Sequence, residues 1–161
     1  MSENKEITRE QKKAMLERDS RYRFTLEAEK RHEKIFAPLG ISFSVYRTLA
    51  YLLLHEDGAA PSQIADDLFI LRQNMTNILD TLEKKGLIER VAVPTDRRRL
   101  IVKLLPAGET LATDAVNEEN RYGRLIHKYI SDEELAEYHR LELKMNEAKV
   151  NALNDLLAER S

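Results

Sequence analysis

The chain has 161 residues, of which 42% are hydrophobic and 34% charged, and its formal net charge is -2. This length suffices for one domain with a core, or for a small domain with dimerising arms. The low content of 5 glycines and 4 prolines favours long helices over a β-sandwich or barrel. The absence of cysteine excludes disulfides, thiolate catalysis, cysteine-ligated zinc and cysteine-based redox sensing.

The N-terminal segment is predicted to be helical. Residues 6–37 contain no proline or glycine, and their apolar residues recur with imperfect helical periodicity. The pattern predicts one long helix or two, ended by Pro38 and Gly40. No segment resembles a signal peptide or reaches the length of an apolar membrane span, so we expect a cytoplasmic protein.

A second helix is predicted after Ser42, whose hydroxyl suits an N-cap. The segment SVYRTLAYLLLHE then places Val45, Leu49, Leu52 and Leu53 on one face. The next residues, Glu56, Asp57 and Gly58, predict the end of this helix.

Two short helical patterns come next. Pro61 suits the first position of the first helix, SQIADDLF. After a turn from Phe69 to Arg72, the second pattern has apolar residues at helical spacing and ends at Gly86. Its other face carries mainly short amides and hydroxyls, which can pair with base edges in the major groove of DNA. The residues predicted to contact DNA from this helix are Arg72, Gln73, Asn74, Thr76 and Asn77.

A basic hairpin follows the second pattern. LIERVAV alternates as a strand does, Pro94 and Asp96 interrupt it, and residues 100–104 predict a second strand. Three consecutive arginines at the tip repel one another unless DNA phosphates or a narrow minor groove relieve the repulsion. Two short helices followed by such a hairpin predict a winged helix-turn-helix. The residues predicted to contact DNA from the wing are Arg97, Arg98 and Arg99.

The rest of the chain predicts two more helices. Pro106 begins a helical pattern over residues 107–129. This helix is too long for the small winged domain alone to cover its apolar residues. Ser131 and Glu134 form a capping-box pattern before a final amphipathic helix. Pairing of the first and last helices across a twofold axis would cover their apolar faces. We therefore expect a mainly α fold with one β-hairpin, divided into an N-terminal dimerisation arm (1–41), a winged helix-turn-helix domain (42–105) and C-terminal dimerisation helices (106–161).

Charge is separated along the chain. From Arg72 to Lys103 there are 8 Lys or Arg against 4 Asp or Glu, a net charge of +4. From Ser131 to Ser161 there are 4 against 8, a net charge of -4. A basic surface joined to acidic arms is typical of a DNA-binding protein with an exposed face that does not contact DNA.

Three motifs, IADDL, LEKKGLIER and DRRRLIVKL followed by Gly108, occur at the spacing of a known family. From Ile41 to Gly108 the chain resembles the MarR-type bacterial transcription regulators. The resemblance implies a wing signature in which Asp96 is structural and Arg98 enters the minor groove, while the preceding helix lies in the major groove.

The chain departs from the family pattern at two places. Phe69 and Leu71 stand where the family often has a glycine in the turn and a hydroxyl residue that caps the recognition helix. Leu105 and Pro106 follow the hairpin where the family usually has a Leu-Thr pair, although proline still suits a first helical turn.

The resemblance also implies a homodimer that binds double-stranded DNA and represses transcription, with a small molecule as effector. Two recognition helices related by a twofold axis would bind half-sites roughly 34 to 36 Å apart in a pseudo-palindromic operator. A ligand that changes the angle between the long helices would change this spacing. In the family the ligand binds in a crevice between the first, second and fifth helices, which often takes small aromatic or lipophilic anions. The residues predicted for it are Phe36, Tyr46, Arg47, Tyr122 and Arg124, with core packing or surface ion pairs as the alternative.

Other classes of function stay open. A winged-helix adaptor that binds proteins without DNA would have no reason to keep three arginines at the wing. A metal-responsive regulator would use His32, His55, His127 or His139, but these lack a ligand spacing such as HExxH. The sequence has neither G-x-S-x-G nor a phosphate loop, so we expect no enzyme activity, no cofactor and no metal.

Overall fold

The computed structural model describes residues 7–93 and 96–160. The chain divides into two compact units, Met1–Glu119 and Asn120–Ser161. The fold is mainly α with one β-hairpin, as predicted. The helices are α1 (Arg9–His32), α2 (Phe43–Leu54), α3 (Pro61–Asp67), α4 (Arg72–Lys84), α5 (Pro106–Ile126) and α6 (Asp132–Ala158), and the strands are β1 (Ile88–Val93) and β2 (Asp96–Leu104).

Helix α1 ends earlier than predicted. It stops at His32, and two 3-10 turns, Glu33–Ile35 and Ala37–Leu39, lead to Gly40. Proline lacks an N–H and disfavours α geometry at the residue before it, so Pro38 prevents a regular helix from reaching Gly40. Gly40 then reverses the chain in the left-handed region, at a φ of 66°. The predicted extension of the helix to the proline was therefore wrong.

Helix α2 begins as predicted. The Ser42 hydroxyl accepts a hydrogen bond from the Val45 N–H at 3.3 Å and caps the helix. Leu49 and Leu52 are buried on the core side, whereas Leu54 is exposed at the C-terminal end.

The core of the first unit lies between α2, α3, α4 and the hairpin, with α5 contributing Ala112. Leu49, Ile64, Leu79 and Val102 are fully buried in it. Burial of each such aliphatic side chain contributes about 1.5 to 3 kcal/mol, so these elements are held together chiefly by the hydrophobic effect.

A hydrogen bond ties α2 to α3 at the edge of the core. The Tyr51 hydroxyl donates to the Asp67 carboxylate at 2.6 Å. Burial and then this hydrogen bond raise the pKa of Tyr51 to about 12. The phenol therefore stays protonated and keeps its donor role at any pH the cell meets.

The hairpin is antiparallel, with Ile88 opposite Leu104 and Val93 opposite Asp96. Strand β2 is longer than predicted, because it begins at Asp96 rather than at residue 100. The expected interruption at Asp96 was wrong, since backbone pairing with Val93 outweighs the weak strand propensity of aspartate. Backbone hydrogen bonds of 2.8 and 3.1 Å between Val102 and Ala59 attach the hairpin to the segment before α3.

The second unit contains the end of α5 and all of α6. Ser131 and Glu134 form the predicted capping box, in which each side chain accepts from the other residue's backbone N–H. Among the described residues, no helix combines the length and apolar character needed to cross a bilayer. The division of the chain into arm, winged domain and C-terminal helices stays a prediction.

Candidate nucleic-acid interface

Helix α4 has one buried and one exposed face. Met75, Leu79 and Leu82 are buried in the core, at the three- and four-residue spacing of one helical face. The opposite face is accessible to a partner along the N-terminal half of the helix. All five residues predicted to contact DNA lie on this helix and are exposed, namely Arg72, Gln73, Asn74, Thr76 and Asn77.

The side-chain hydroxyls of both threonines in α4 donate hydrogen bonds to backbone carbonyls of the same helix. The Thr76 hydroxyl donates to the Arg72 carbonyl at 3.0 Å, and the Thr81 hydroxyl donates to the Asn77 carbonyl at 2.8 Å. These hydroxyl oxygens can still accept a hydrogen bond. The exposed amides of Gln73 and Asn74 offer both a donor and an acceptor, which is the combination that adenine presents in the major groove.

An ion pair crosses the turn before α4. The Arg72 guanidinium lies 3.2 Å from the Asp66 carboxylate, and both side chains are largely exposed. Such a pair contributes little to stability because water screens it. Arg72 can therefore exchange this partner for a DNA phosphate or base at small cost.

The turn itself is a left-handed C-cap of α3. Phe69 has a φ of 54°, and its N–H donates to the Asp66 carbonyl while the Ile70 N–H donates to the Ala65 carbonyl. This pair of hydrogen bonds is the Schellman motif, which usually places glycine or asparagine where Phe69 stands. The turn therefore keeps the geometry of a helix-turn-helix without the glycine.

Arg90 connects the hairpin to α4 and was not singled out by the sequence. Its guanidinium lies 2.7 Å from the Asp80 carboxylate and 2.6 Å from that of Glu83, and 22% of its side chain is exposed. The three-residue spacing of the two acids on α4 was the available signal. The contact fixes α4 against the hairpin and offsets one of the two negative charges that α4 carries there.

The arginines of the wing lie within β2 rather than in a turn, which corrects the predicted position. The pairing passes from Ala92 opposite Leu100 to Val93 opposite Asp96, so the register shifts there and residues 97–99 have no partner on β1. Arg99 is exposed. The side chains of Asp96, Arg97 and Arg98, and the tip at Pro94 and Thr95, lie outside the described part of the structure.

The residues predicted to line a ligand pocket fall in both units. Phe36 is fully buried and stacks on Tyr46, with ring centroids 4.2 Å apart. The Arg47 guanidinium lies 5.9 Å from the centroid of the Phe43 ring. The stacking of Phe36 on Tyr46 fits the core-packing alternative. Tyr122 and Arg124 are exposed residues of the second unit, and the pocket as a whole stays a prediction.

A polar contact lies beside this aromatic cluster. The Nε2 atom of His32 is 2.8 Å from a Glu119 carboxylate oxygen. Burial, together with the negative charge of Glu119, raises the pKa of Tyr46. Within residues 7–93 and 96–160 we find no group of three or more histidines and acids that could hold a metal ion.

A short helix, a turn, an exposed polar helix and a basic hairpin define a winged helix-turn-helix protein. The MarR family profile matches residues 39–99. The transcriptional regulator PecS of Dickeya dadantii is 31% identical over 116 residues, which cover 70% of this chain and 69% of PecS. FarR of Neisseria gonorrhoeae is 34% identical over 108 residues, which cover 66% of this chain and 64% of FarR. The chain belongs to the MarR family of transcription regulators.

Solved structures share the fold. A MarR family transcription regulator superposes with a TM-score of 0.76 at 23% identity, over 92% of this chain and 97% of that protein. The MepR-DNA complex of S. aureus gives a TM-score of 0.69 at 23% identity, over 79% of this chain and 93% of MepR. The chain spans 57% of Bacillus subtilis YsmB and 55% of Escherichia coli PapX, so it covers only about half of some curated relatives.

Proposed function

We propose that this chain is a sequence-specific regulator of transcription that binds double-stranded DNA. The observation that carries the proposal is the two-sided helix α4, which buries its apolar face in the core and exposes Gln73, Asn74 and Asn77. Membership of the MarR family supports it. So do the structures of MepR and MarR solved with DNA, which have the same fold.

In this proposal α4 lies in the major groove and the wing contacts the backbone or the minor groove. Gln73 and Asn74, near the N-terminus of α4, occupy the part of a recognition helix that contacts base edges. Arg97, Arg98 and Arg99 neutralise phosphates or enter a narrow minor groove, where the negative potential is strongest. The ion pairs of Arg90 hold the two elements at a constant separation.

We further propose a homodimer that represses transcription from a pseudo-palindromic operator. The exposed apolar residues of α6, such as Leu141 and Leu156, support a partner helix. A small aromatic or lipophilic anion is the proposed effector, and of the residues predicted to bind it Phe36, Tyr46 and Arg47 lie in the first unit.

The proposal is tested by selecting bound fragments from sheared DNA of the source organism and measuring affinity for the best fragment across a salt series. Arg98→Ala is compared with Arg140→Ala, which removes the same charge from α6. We expect the logarithm of the binding constant to fall linearly with the logarithm of salt concentration. The slope should become shallower by about 0.9 in Arg98→Ala for the one phosphate charge released, and should not change in Arg140→Ala.

Two results would contradict the proposal. If no fragment is enriched, or if both variants retain the wild-type slope, the wing does not bind DNA. An adaptor that binds other proteins would then be the better interpretation. Its affinity for duplex DNA would be weak at every salt concentration and would not depend on the arginines.

A further inference from the structure

Two large apolar side chains are exposed in the turn between α3 and α4. The exposed fraction is 95% for Phe69 and 75% for Leu71. Ile70 between them packs against the core. The segment therefore turns one side chain inward and holds its two neighbours in solvent, directly before the recognition helix.

Folding does not account for Phe69. Its φ of 54° lies in the left-handed region, where a side chain meets steric strain and glycine or asparagine is favoured. A buried ring could offset this strain through the hydrophobic effect, but this ring is almost fully exposed. A smaller residue in place of Phe69 would make the turn more stable.

Leu71 is equally unsuited to its local position. It is the N-cap of α4, and its side chain makes no capping hydrogen bond. Serine, threonine, aspartate or asparagine at this position would satisfy one of the free N–H groups at the start of the helix. Neither capping nor burial therefore explains why leucine stands there.

The placement of both residues points to DNA. Leu71 adjoins Arg72 and Gln73 at the N-terminal end of α4, the end of a recognition helix that contacts base edges. The apolar group that DNA offers in the major groove is the C5-methyl of thymine. We propose that Phe69 and Leu71 contact thymine methyl groups in each half-site. This inference rests on the proposed function.

These contacts would give the protein a preference that polar groups alone do not supply. The amides of α4 distinguish bases by hydrogen bonding, whereas Phe69 and Leu71 distinguish thymine from cytosine or uracil by apolar contact. Burial of the ring against DNA also offsets the strain that Phe69 carries in the free protein.

The test uses the fragment selected above, with each thymine of one half-site replaced in turn by deoxyuridine, which lacks only the methyl group. The wild type should lose roughly fourfold in affinity for each contacted methyl. Leu71→Ala should bind the thymine duplex more weakly, and should lose less than the wild type on replacement by deoxyuridine. Leu54→Ala is the matched control, because this α2 leucine is 82% exposed and lies outside the helix-turn-helix.

A second variant separates binding from folding. Phe69→Asn introduces a residue that tolerates the left-handed region. The midpoint of thermal unfolding of this variant should therefore equal or exceed that of the wild type. Its affinity for the thymine duplex should nevertheless fall, and its discrimination between thymine and deoxyuridine should shrink.

The inference is overturned if the wild type binds thymine and deoxyuridine duplexes equally, or if Leu71→Ala and Phe69→Asn discriminate as well as the wild type does. In that case DNA binding, with its dependence on Arg98, still stands, but the apolar pair does not contact thymine methyl groups. If the wild type selects no fragment at all, the proposed function fails and this inference fails with it.

Discussion

At Arg90 one guanidinium pairs with two carboxylates of α4 and offsets one of their two negative charges. Asp80 and Glu83 lie one helical turn apart on α4, and Arg90 reaches both from β1 with distances of 2.7 and 2.6 Å. Hydrogen bonds between charged groups are stronger than neutral ones, and partial burial of the arginine reduces screening by water. The contact is therefore both a structural tie and a correction of local charge.

We predict that Arg90→Met lowers both stability and DNA affinity. Methionine keeps the apolar stem but leaves the two acids without their cation, so the free energy of unfolding should fall by about 1 to 2 kcal/mol. The affinity for DNA should also fall, because Asp80 and Glu83 would repel phosphates. Chemical denaturation and a DNA titration measure the two effects.

Arg140→Met serves as the control for Arg90. Arg140 pairs with Glu137 within one turn of α6, and both side chains are more than half exposed. Screening by water makes such a pair weak, so this variant should unfold and bind DNA as the wild type does. An equal loss of stability in both variants would show that Arg90 has no special role.

At the scale of a single element, α5 carries two glycines in opposite situations. A Cβ atom at Gly108 would lie 1.9 Å from the Leu87 carbonyl oxygen, whereas a Cβ at Gly123 would meet nothing within 4 Å. The same carbonyl accepts the Leu105 N–H at 2.9 Å. The start of α5 is thus packed against the chain that leads into β1, and Gly108 permits this close approach.

We predict opposite effects for the two alanine substitutions in α5. Gly108→Ala forces the helix away from Leu87 and should lower the free energy of unfolding by about 3 kcal/mol, at the upper end of the cost of overpacking. Gly123→Ala fills open space and should raise it by up to about 1 kcal/mol, through helix propensity. Urea denaturation followed by circular dichroism measures both. Destabilisation by Gly123→Ala would show that its surface packs against another chain.

At the scale of the whole molecule, α6 presents an apolar surface that the described chain does not bury. Leu141, Met145 and Leu156 are between 43% and 57% exposed and recur at helical spacing. Exposed apolar residues in a stripe along a helix usually mark an interface. A twofold partner would cover this surface and would also place two recognition helices on one face of DNA.

We predict that the double variant Leu141→Lys, Leu156→Lys is monomeric, whereas the wild type is a dimer. Sedimentation equilibrium measures the mass directly. The affinity for a two-half-site duplex should fall strongly, because the second recognition helix is no longer linked to the first. The affinity for a single half-site should change little.

Asn154→Lys provides the control for this experiment. Helical periodicity places Asn154 on the opposite side of α6 from Leu141 and Leu156. This variant should remain dimeric. A monomeric wild type, or dissociation of the control alone, would show that the apolar stripe of α6 does not form the interface.

Local signals in the sequence determined much of the fold and the location of the candidate DNA surface. Ser42 and Ser131 cap their helices as predicted, because a capping hydrogen bond joins residues only three positions apart. The alternation and breaks that predicted α3, α4 and the hairpin are also local. The exposed polar face of α4 followed directly from the position of Met75 on the buried face.

Only the tertiary structure decided the features that join distant residues. The contacts of Arg90 with α4 and of His32 with Glu119 depend on how the elements pack. The spacing of Asp80 and Glu83 puts two acids on one face of α4, but it does not reveal which cation reaches them. The early start of β2 and the register shift at residues 97–99 depend on pairing with β1. Phe69 adopts a left-handed conformation against its own preference because the hydrogen bonds and packing on either side of the turn leave it no alternative.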